Sequence, residues 1–190
     1  MQSPLYLFNI EEYLELEQTS DIRHEYFGGE VFAMAGGSKE HNIISLNVAS
    51  SLRSQLRGSF CNVFMSDMKV RINLASDHQT IFYYPDVIVS CDTEDQDRYF
   101  LNYPCLIIEV LSPSTETIDR REKLVNYRSL TSLREYVLIS QDEVKVDIYR
   151  QDKQGNWTIQ ILINRNDKLV LDSVGLILEM ADIYENVINL

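Results

Sequence analysis

Two apolar segments, each interrupted by a single carboxylate, constrain the fold of this chain most strongly. Asp86 follows Pro85 in the segment YYPDVIVS, and Glu109 lies inside the segment CLIIEVLS. Nearly continuous apolar runs of this kind are typical of central strands that are covered on both faces. Because an ionised carboxylate is almost never buried alone, each of these side chains needs a cationic partner or a metal ion.

The other segments place these strands in an alternating order of helices and strands. Residues 9–18 predict a helix with Asn9 as its N-cap, and residues 23–35 predict two strands around a tight turn at Gly28-Gly29. Further predicted elements are a core helix ending at Gly58, strands over 61–74, 82–91 and 105–111, a helix over 117–130, a strand over 135–140 and an antiparallel pair around Gln154-Gly155-Asn156. This order predicts an α/β (α+β) fold.

Length and composition predict one cytoplasmic domain. The 190 residues, of which 45% are hydrophobic, are enough for one ordinary core. Cys61, Cys91 and Cys105 form no C-x-x-C pair, and we interpret them as buried, reduced thiols. The N-terminal segment has no basic region followed by an apolar run, and no segment approaches the ~20 apolar residues of a membrane span. We therefore expect no membrane contact.

The net charge of the chain opposes binding of nucleic acid at long range. Acidic residues outnumber basic ones by 29 to 17, which gives a formal net charge of −12. Phosphate binding depends largely on Lys and Arg, so any contact with nucleic acid is expected to be local. The alternative explanation of the charge is that an acidic surface keeps the protein soluble.

Asp86 and Glu109 together predict a site for a hard divalent cation. If neighbouring strands bring both to one edge of the sheet, their repulsion raises at least one pKa unless a cation lies between them. Two carboxylates and a backbone carbonyl, which Val110 can supply, match the oxygen ligands of Mg²⁺. The alternative is that Glu109 pairs with an Arg or Lys on a covering helix and that Asp86 caps a strand or turn.

Lys123 is the candidate catalytic cation. It lies four residues before Tyr127 and seven before Leu130, so it shares their helical face and can point toward the sheet. A lysine close to a phosphate stabilises developing negative charge. The alternative is a solvated helix cation, like its neighbours Arg120 and Arg121.

Four motifs occur in one order along the chain: PDVIVS, LIIEVLSPST, the spacing D-x-x-x-K-x-x-x-Y, and REYVLIS. In these motifs and their order the chain resembles the Uma-two family of bacterial proteins. The resemblance continues through HEYFGGEVFAMAGGSKEHN upstream and VLDSVGLILEMADIYE downstream. It implies the PD-(D/E)XK nuclease fold, a restriction-endonuclease-like mixed central sheet flanked by helices, with an N-terminal hairpin and a C-terminal antiparallel extension. It also implies that Asp86 and Glu109 are metal ligands.

The chain departs from the usual nuclease motif at one position. That motif has lysine two residues after the second acid, where this chain has Leu111, and the resemblance implies that Lys123 on the helix replaces it. The family pattern also includes Glu25 and His41, as accessory groups near the site. The alternatives are an exposed acid beside the hairpin for Glu25 and a histidine satisfied at a helix terminus for His41.

The sequence and the resemblance together lead to a functional hypothesis. We expect a metal-dependent endonuclease that uses Mg²⁺ or Mn²⁺ and acts on nucleic acid, with DNA as the expected substrate. The alternative is a catalytically weak or inactive nuclease-fold module that acts as a dimer or as a subunit of a larger complex. Exposed edge strands in the C-terminal extension favour a homodimer. The expected organisation is a single domain over 1–190, with a helix and hairpin in 1–36, a nuclease-like core in 37–140 and a β extension in 141–190.

Overall fold

The computed structural model describes residues 6–74 and 79–187. The helices in these ranges are α1 (Ile10–Thr19), α2 (Lys39–Gln55), α3 (Glu116–Ile118), α4 (Leu124–Tyr127) and α5 (Met180–Ile183), and a π-helical segment, Asp119–Lys123, joins α3 to α4. The strands are β1 (His24–Phe27), β2 (Glu30–Ala33), β3 (Asn62–Met65), β4 (Lys69–Leu74), β5 (Gln79–Tyr83), β6 (Val87–Ser90), β7 (Phe100–Leu101), β8 (Pro104–Leu111), β9 (Glu135–Ser140), β10 (Val146–Gln151), β11 (Trp157–Leu162), β12 (Lys168–Leu171) and β13 (Leu176–Glu179). None of these helices is long and apolar enough to cross a membrane.

The described strands form two mixed sheets and a separate hairpin. The larger sheet has the order β11-β10-β9-β8-β6-β3, the smaller one has the order β2-β1-β5-β4-β7, and β12 pairs with β13. Pairing is parallel between β8 and β9 and between β4 and β7, and antiparallel elsewhere. The mixed α+β architecture predicted from the sequence is therefore confirmed.

The larger sheet is covered on both faces, as the apolar runs predict. Ile108 and Val110 of β8 pack in the cluster that contains the buried residues of α2, whereas Ile107 and Leu111 pack with Tyr127 of α4. Alternate residues of a strand point to opposite faces. Glu109 therefore lies on the face covered by α4.

The N-terminal helix and hairpin form as predicted. The Asn9 side chain accepts a hydrogen bond from the Glu12 amide, and Glu12 accepts one from the Asn9 amide, which completes a capping box. Gly28 and Gly29 have φ values of 55° and 109°, the region that favours glycine, so they form the turn between β1 and β2. Strand β1 also pairs with β5, so the hairpin is part of the smaller sheet.

Two predicted strands are wrong because each divides between the two sheets. The run over 61–74 breaks between β3 and β4, and the run over 82–91 breaks between β5 and β6. Proline has no N–H to donate to a strand ladder, so Pro85 lies in the second break. As a consequence, Asp86 lies in the connection that immediately precedes β6. The pair β12–β13 is a further hairpin that the predicted elements do not include.

The interpretation of three reduced thiols is wrong for two of the cysteines. Cys61 and Cys91 form a disulfide, and Cys105 is a free thiol with its Sγ 3.7 Å from that of Cys91. Asn62 of β3 pairs with Ser90 of β6, so the two cysteines lie opposite each other one position beyond that pair. Their separation of 30 residues gave no sign of this contact because the strand pairing was not known from the sequence.

Glu135 is a further buried carboxylate, and its burial was not predicted from the sequence. It is fully buried in β9 and accepts hydrogen bonds from Arg150 Nε at 2.8 Å, from the Ser173 amide at 2.8 Å and from the Asp172 amide at 3.2 Å. These contacts join β9 and β10 to the turn between β12 and β13. Its role is structural.

Glu135→Ala is expected to lower the free energy of unfolding by about 3 kcal/mol or more, because it removes a fully buried carboxylate that accepts several hydrogen bonds, and each bond to a charged group contributes ~1.5–3 kcal/mol. Arg150 keeps Asp172 as a carboxylate partner at 3.2 Å, so the loss comes from the acceptor and not from a stranded cation. Urea denaturation measures the change. The matched control is Glu179→Ala, since Glu179 pairs with Lys168 at 2.8 Å on the surface, where such pairs contribute about 1 kcal/mol or less. Equal effects of the two variants would contradict a structural role for Glu135.

Candidate active site

Asp86 and Glu109 meet at one edge of the larger sheet. Val87 of β6 pairs with Ile108 of β8, so Asp86 lies opposite Glu109 one position further along the antiparallel pair. Glu109 Oε2 accepts a hydrogen bond from the Asp86 amide at 3.3 Å, and Asp86 Oδ2 accepts one from the Val110 amide at 2.7 Å. The two carboxylates therefore share one face of the sheet, and each fixes the backbone next to the other.

Lys123 lies at the centre of this group. Its Nζ is 3.1 Å from Glu25 Oε1, 3.2 Å from Glu109 Oε1 and 3.3 Å from Asp119 Oδ1, and its side chain is only 8% exposed. The π-helical segment carries both Asp119 and Lys123 to the sheet, and such segments are frequent at functional sites. We call Glu25, Asp86, Glu109 and Asp119 the carboxylate cluster.

Two residues of the site, Asp119 and Tyr127, were not predicted as site residues from the sequence. Asp119 contacts Lys123, and the Tyr127 hydroxyl donates a hydrogen bond to Glu109 Oε1 at 3.0 Å. Both belong to the spacing D-x-x-x-K-x-x-x-Y, which repeats every four residues and so places all three side chains on one helical face. That spacing was the signal available in the sequence.

His41 contacts the opposite side of Asp86. Its Nε2 is 3.2 Å from Asp86 Oδ2, and its backbone amide donates to the side chain of Ser38, the N-cap of α2, at 3.0 Å. A Cβ at Gly37 would lie 3.0 Å from His41 Nδ1, so glycine at this position leaves room for the ring. Burial lowers the pKa of His41, but the hydrogen bond and the charge of Asp86 outweigh it and raise the pKa above its ordinary value.

Burial and like charges make the ionised forms of Glu109 and Asp119 unfavourable. Burial raises the pKa of Glu109 well above its ordinary value, Lys123 opposes this change, and Asp119 and Asp86 add to it. Burial also raises the pKa of Asp119, again opposed by Lys123. Burial lowers the pKa of Lys123, but Glu109, Glu25 and Asp119 outweigh burial and raise it well above the usual range. Lys123 is therefore a firmly charged ammonium group among excess carboxylates.

The donor set at the sheet edge fits a magnesium-type ion. Among residues 6–74 and 79–187, no three His, Cys, Asp or Glu side chains are gathered in a way that holds a metal ion. Mg²⁺, however, commonly uses one or two carboxylates and completes its shell with waters and substrate oxygens. Glu25, Glu109 and Asp119 share the single ammonium group of Lys123, so negative charge exceeds positive charge at this edge of the sheet. Asp86, Glu109 and the Val110 carbonyl are the groups that can hold the ion.

A cavity of about 600 Å³ opens beside the carboxylate cluster. Its size is that of a small-molecule or nucleotide site. The described residues that line it include the four cluster acids, Glu122, Lys123 and His41, but no arginine. The hairpin β1–β2 forms one wall and thus belongs to the site.

The chain is similar to proteins of one family along most of its length. Residues 10–181 match the family described as Uma2, putative restriction endonuclease. Two uncharacterized proteins of Synechocystis sp. are similar to it: slr1290 is 39% identical, with 92% of this chain and 90% of the relative covered, and sll1609 is 30% identical, with 83% and 89% covered. The crystal structure of a putative nuclease belonging to DUF820 from Anabaena variabilis has the same fold, with a TM-score of 0.71 at 16% identity over 93% of this chain and 97% of that one. The chain therefore belongs to the Uma2 family.

Proposed function

We propose that this protein is a cytoplasmic, single-domain endonuclease that hydrolyses phosphodiester bonds of nucleic acid, DNA in the first instance, with Mg²⁺ or Mn²⁺. The observation that carries the proposal is the meeting of Asp86 and Glu109 at one sheet edge, beside the buried ammonium group of Lys123 and an open cavity. Membership of the family described as Uma2, putative restriction endonuclease, supports it.

Each polar side chain of the site then has a defined task. Asp86, Glu109 and the Val110 carbonyl hold the divalent ion, which when bound supplies Lewis acidity toward the phosphate oxygens and the attacking water. Lys123 stabilises the negative charge that develops on the phosphate, an effect of about 10²–10³-fold for one donor of this kind. Glu25 and Asp119 orient Lys123, Tyr127 orients Glu109, and His41 orients Asp86.

Cleavage of supercoiled plasmid and of single-stranded DNA tests this function. Wild-type protein is expected to cleave with Mg²⁺ or Mn²⁺ and to stop when EDTA is added. Glu109→Gln, purified in parallel, is expected to be inactive, because it removes one of the two carboxylate ligands. Equal activity of the wild type and the variant would identify the activity as a contaminant and contradict the proposal.

A second candidate function is that of an interaction module without turnover. The observation that favours it is that Glu25, Glu109 and Asp119 lie within 3.3 Å of Lys123 Nζ. The ammonium group is therefore already paired with carboxylates of the protein itself. Edge strand β11 exposes Ile159 and Ile161 on one face, which suits pairing with a second copy of the chain. This candidate is tested by sedimentation: it requires a stable dimer whose assembly survives Asp86→Asn, together with the absence of divalent-dependent cleavage.

A further inference from the structure

The register of the N-terminal hairpin places two aromatic rings beside the carboxylate cluster. Glu25 of β1 lies directly opposite Phe32 of β2, and Phe27 follows Glu25 by two residues. Cross-strand partners and residues two apart share one face of a sheet. Because Glu25 contacts Lys123, this face is the one turned toward the site, and Phe27 and Phe32 both line the cavity.

Phe32 presents its ring to solvent at this wall. It is 52% exposed, whereas Phe27 is half-buried against the core. Single exposed apolar side chains are common on protein surfaces and need no explanation on their own. Phe32 differs because it lies opposite Glu25 and lines the cavity, so a ligand in the cavity lies beside this ring.

The charges around the cavity disfavour a double helix. Duplex binding depends on rows of Lys and Arg that neutralise phosphates, but the described residues lining the cavity offer Lys123 and His41 against five acids, and the chain carries a net charge of −12. Binding of single strands depends much more on the stacking of bases on aromatic side chains. A cavity of about 600 Å³ lies within the size range of small-molecule sites, so it suits a single nucleotide turned out of a strand.

We propose that the site takes single-stranded or locally unpaired nucleic acid, with one base stacked on Phe32 and the adjoining phosphate directed at Asp86 and Glu109. This inference rests on the proposed nuclease function and specifies its substrate class. Phe32 is a substrate-binding residue, and Phe27 supports the same wall from the core.

Fluorescence anisotropy with a labelled 12-nucleotide single strand, the matching duplex and an abasic single strand of equal length tests the inference. Ca²⁺ replaces Mg²⁺, and a gel verifies that each probe stays intact. We expect the single strand to bind at least about tenfold more tightly than the duplex. Phe32→Ala is expected to weaken single-strand binding about 5- to 150-fold, the equivalent of ~1–3 kcal/mol for one stacked base. Phe32→Trp is expected to retain binding.

The controls separate stacking from damage to the fold. Phe32→Ala is expected to leave binding of the abasic strand unchanged, and Phe60→Ala, which removes a ring that is 71% exposed away from the cavity, is expected to change nothing. Equal affinity for the duplex and the single strand would overturn the inference, and so would a Phe32→Ala loss of affinity that is as large for the abasic strand as for the intact one. Cleavage of plasmid in the same preparation would still support the proposed nuclease. Binding of none of the probes, together with no cleavage of any DNA, would overturn the proposed function itself.

Discussion

Asp86→Asn is expected to reduce metal-dependent cleavage at least about 100-fold while leaving thermal stability unchanged or higher in the absence of metal. A metal ion supplies several kcal/mol of charge stabilisation, and ~1.4 kcal/mol corresponds to a factor of ten in rate. The amide oxygen of asparagine still accepts the hydrogen bond from the Val110 amide, and the variant removes one of the carboxylates that repel each other. Single-turnover cleavage and thermal unfolding in EDTA measure the two effects.

The combination of lost activity and retained stability distinguishes a ligand from a structural acid. Asp67→Asn is the matched control, because Asp67 is an exposed acid that pairs with Arg23 at the surface. It is expected to change neither quantity. If Asp86→Asn lowered the free energy of unfolding by several kcal/mol, the contact with His41 would be a structural ion pair. The assignment of Asp86 as a metal ligand would then be wrong.

Lys123→Met is expected to lower the free energy of unfolding by ~3–5 kcal/mol at neutral pH, because it leaves Glu25, Glu109 and Asp119 without their shared cation. The pKa values of Glu109 and Asp119 are raised in the folded protein, so these groups favour folding when protonated. The difference in free energy of unfolding between the wild type and the variant is therefore expected to decrease as the pH falls from 8 to 5. Urea denaturation at each pH measures it.

Compensation provides the control for this prediction. The double variant Lys123→Met, Glu109→Gln is expected to recover part of the loss, because it removes one of the stranded charges. Lys153→Met, in an exposed turn, is expected to have little effect. A loss below about 1 kcal/mol in Lys123→Met would mean that the ammonium group is solvated, as surface pairs are.

Much of the fold follows from the sequence because its signals are local. The capping residue Asn9, the turn at Gly28-Gly29 and the apolar runs around Glu109 each specify an element through nearby residues. The break of 82–91 at Pro85 had a local signal, because proline cannot donate to a strand ladder. The disulfide between Cys61 and Cys91 depends on which strands pair. Pairing between distant segments is not encoded in local periodicity, so the disulfide could not be predicted.

The site shows the same division between local and distant information. The segments that carry Asp86 and Glu109 are close in sequence, and their convergence could be anticipated from two unexplained acids in apolar runs. The spacing of Asp119, Lys123 and Tyr127 also placed these three side chains on one helical face. Their contact with Glu25 could not be anticipated in the same way, because it requires the hairpin, the π-helical segment and the sheet to meet. The hairpin was predicted as an N-terminal addition, yet it forms a wall of the cavity.

Isothermal titration calorimetry with Mn²⁺ tests most directly whether Asp86 and Glu109 form one cation site. Wild-type protein is expected to bind one ion per chain, Asp86→Asn and Glu109→Gln are each expected to weaken binding at least about tenfold, and the surface variant Asp67→Asn is expected to bind as the wild type does. Equal Mn²⁺ affinity in all four proteins, or no binding to any of them, would contradict the site.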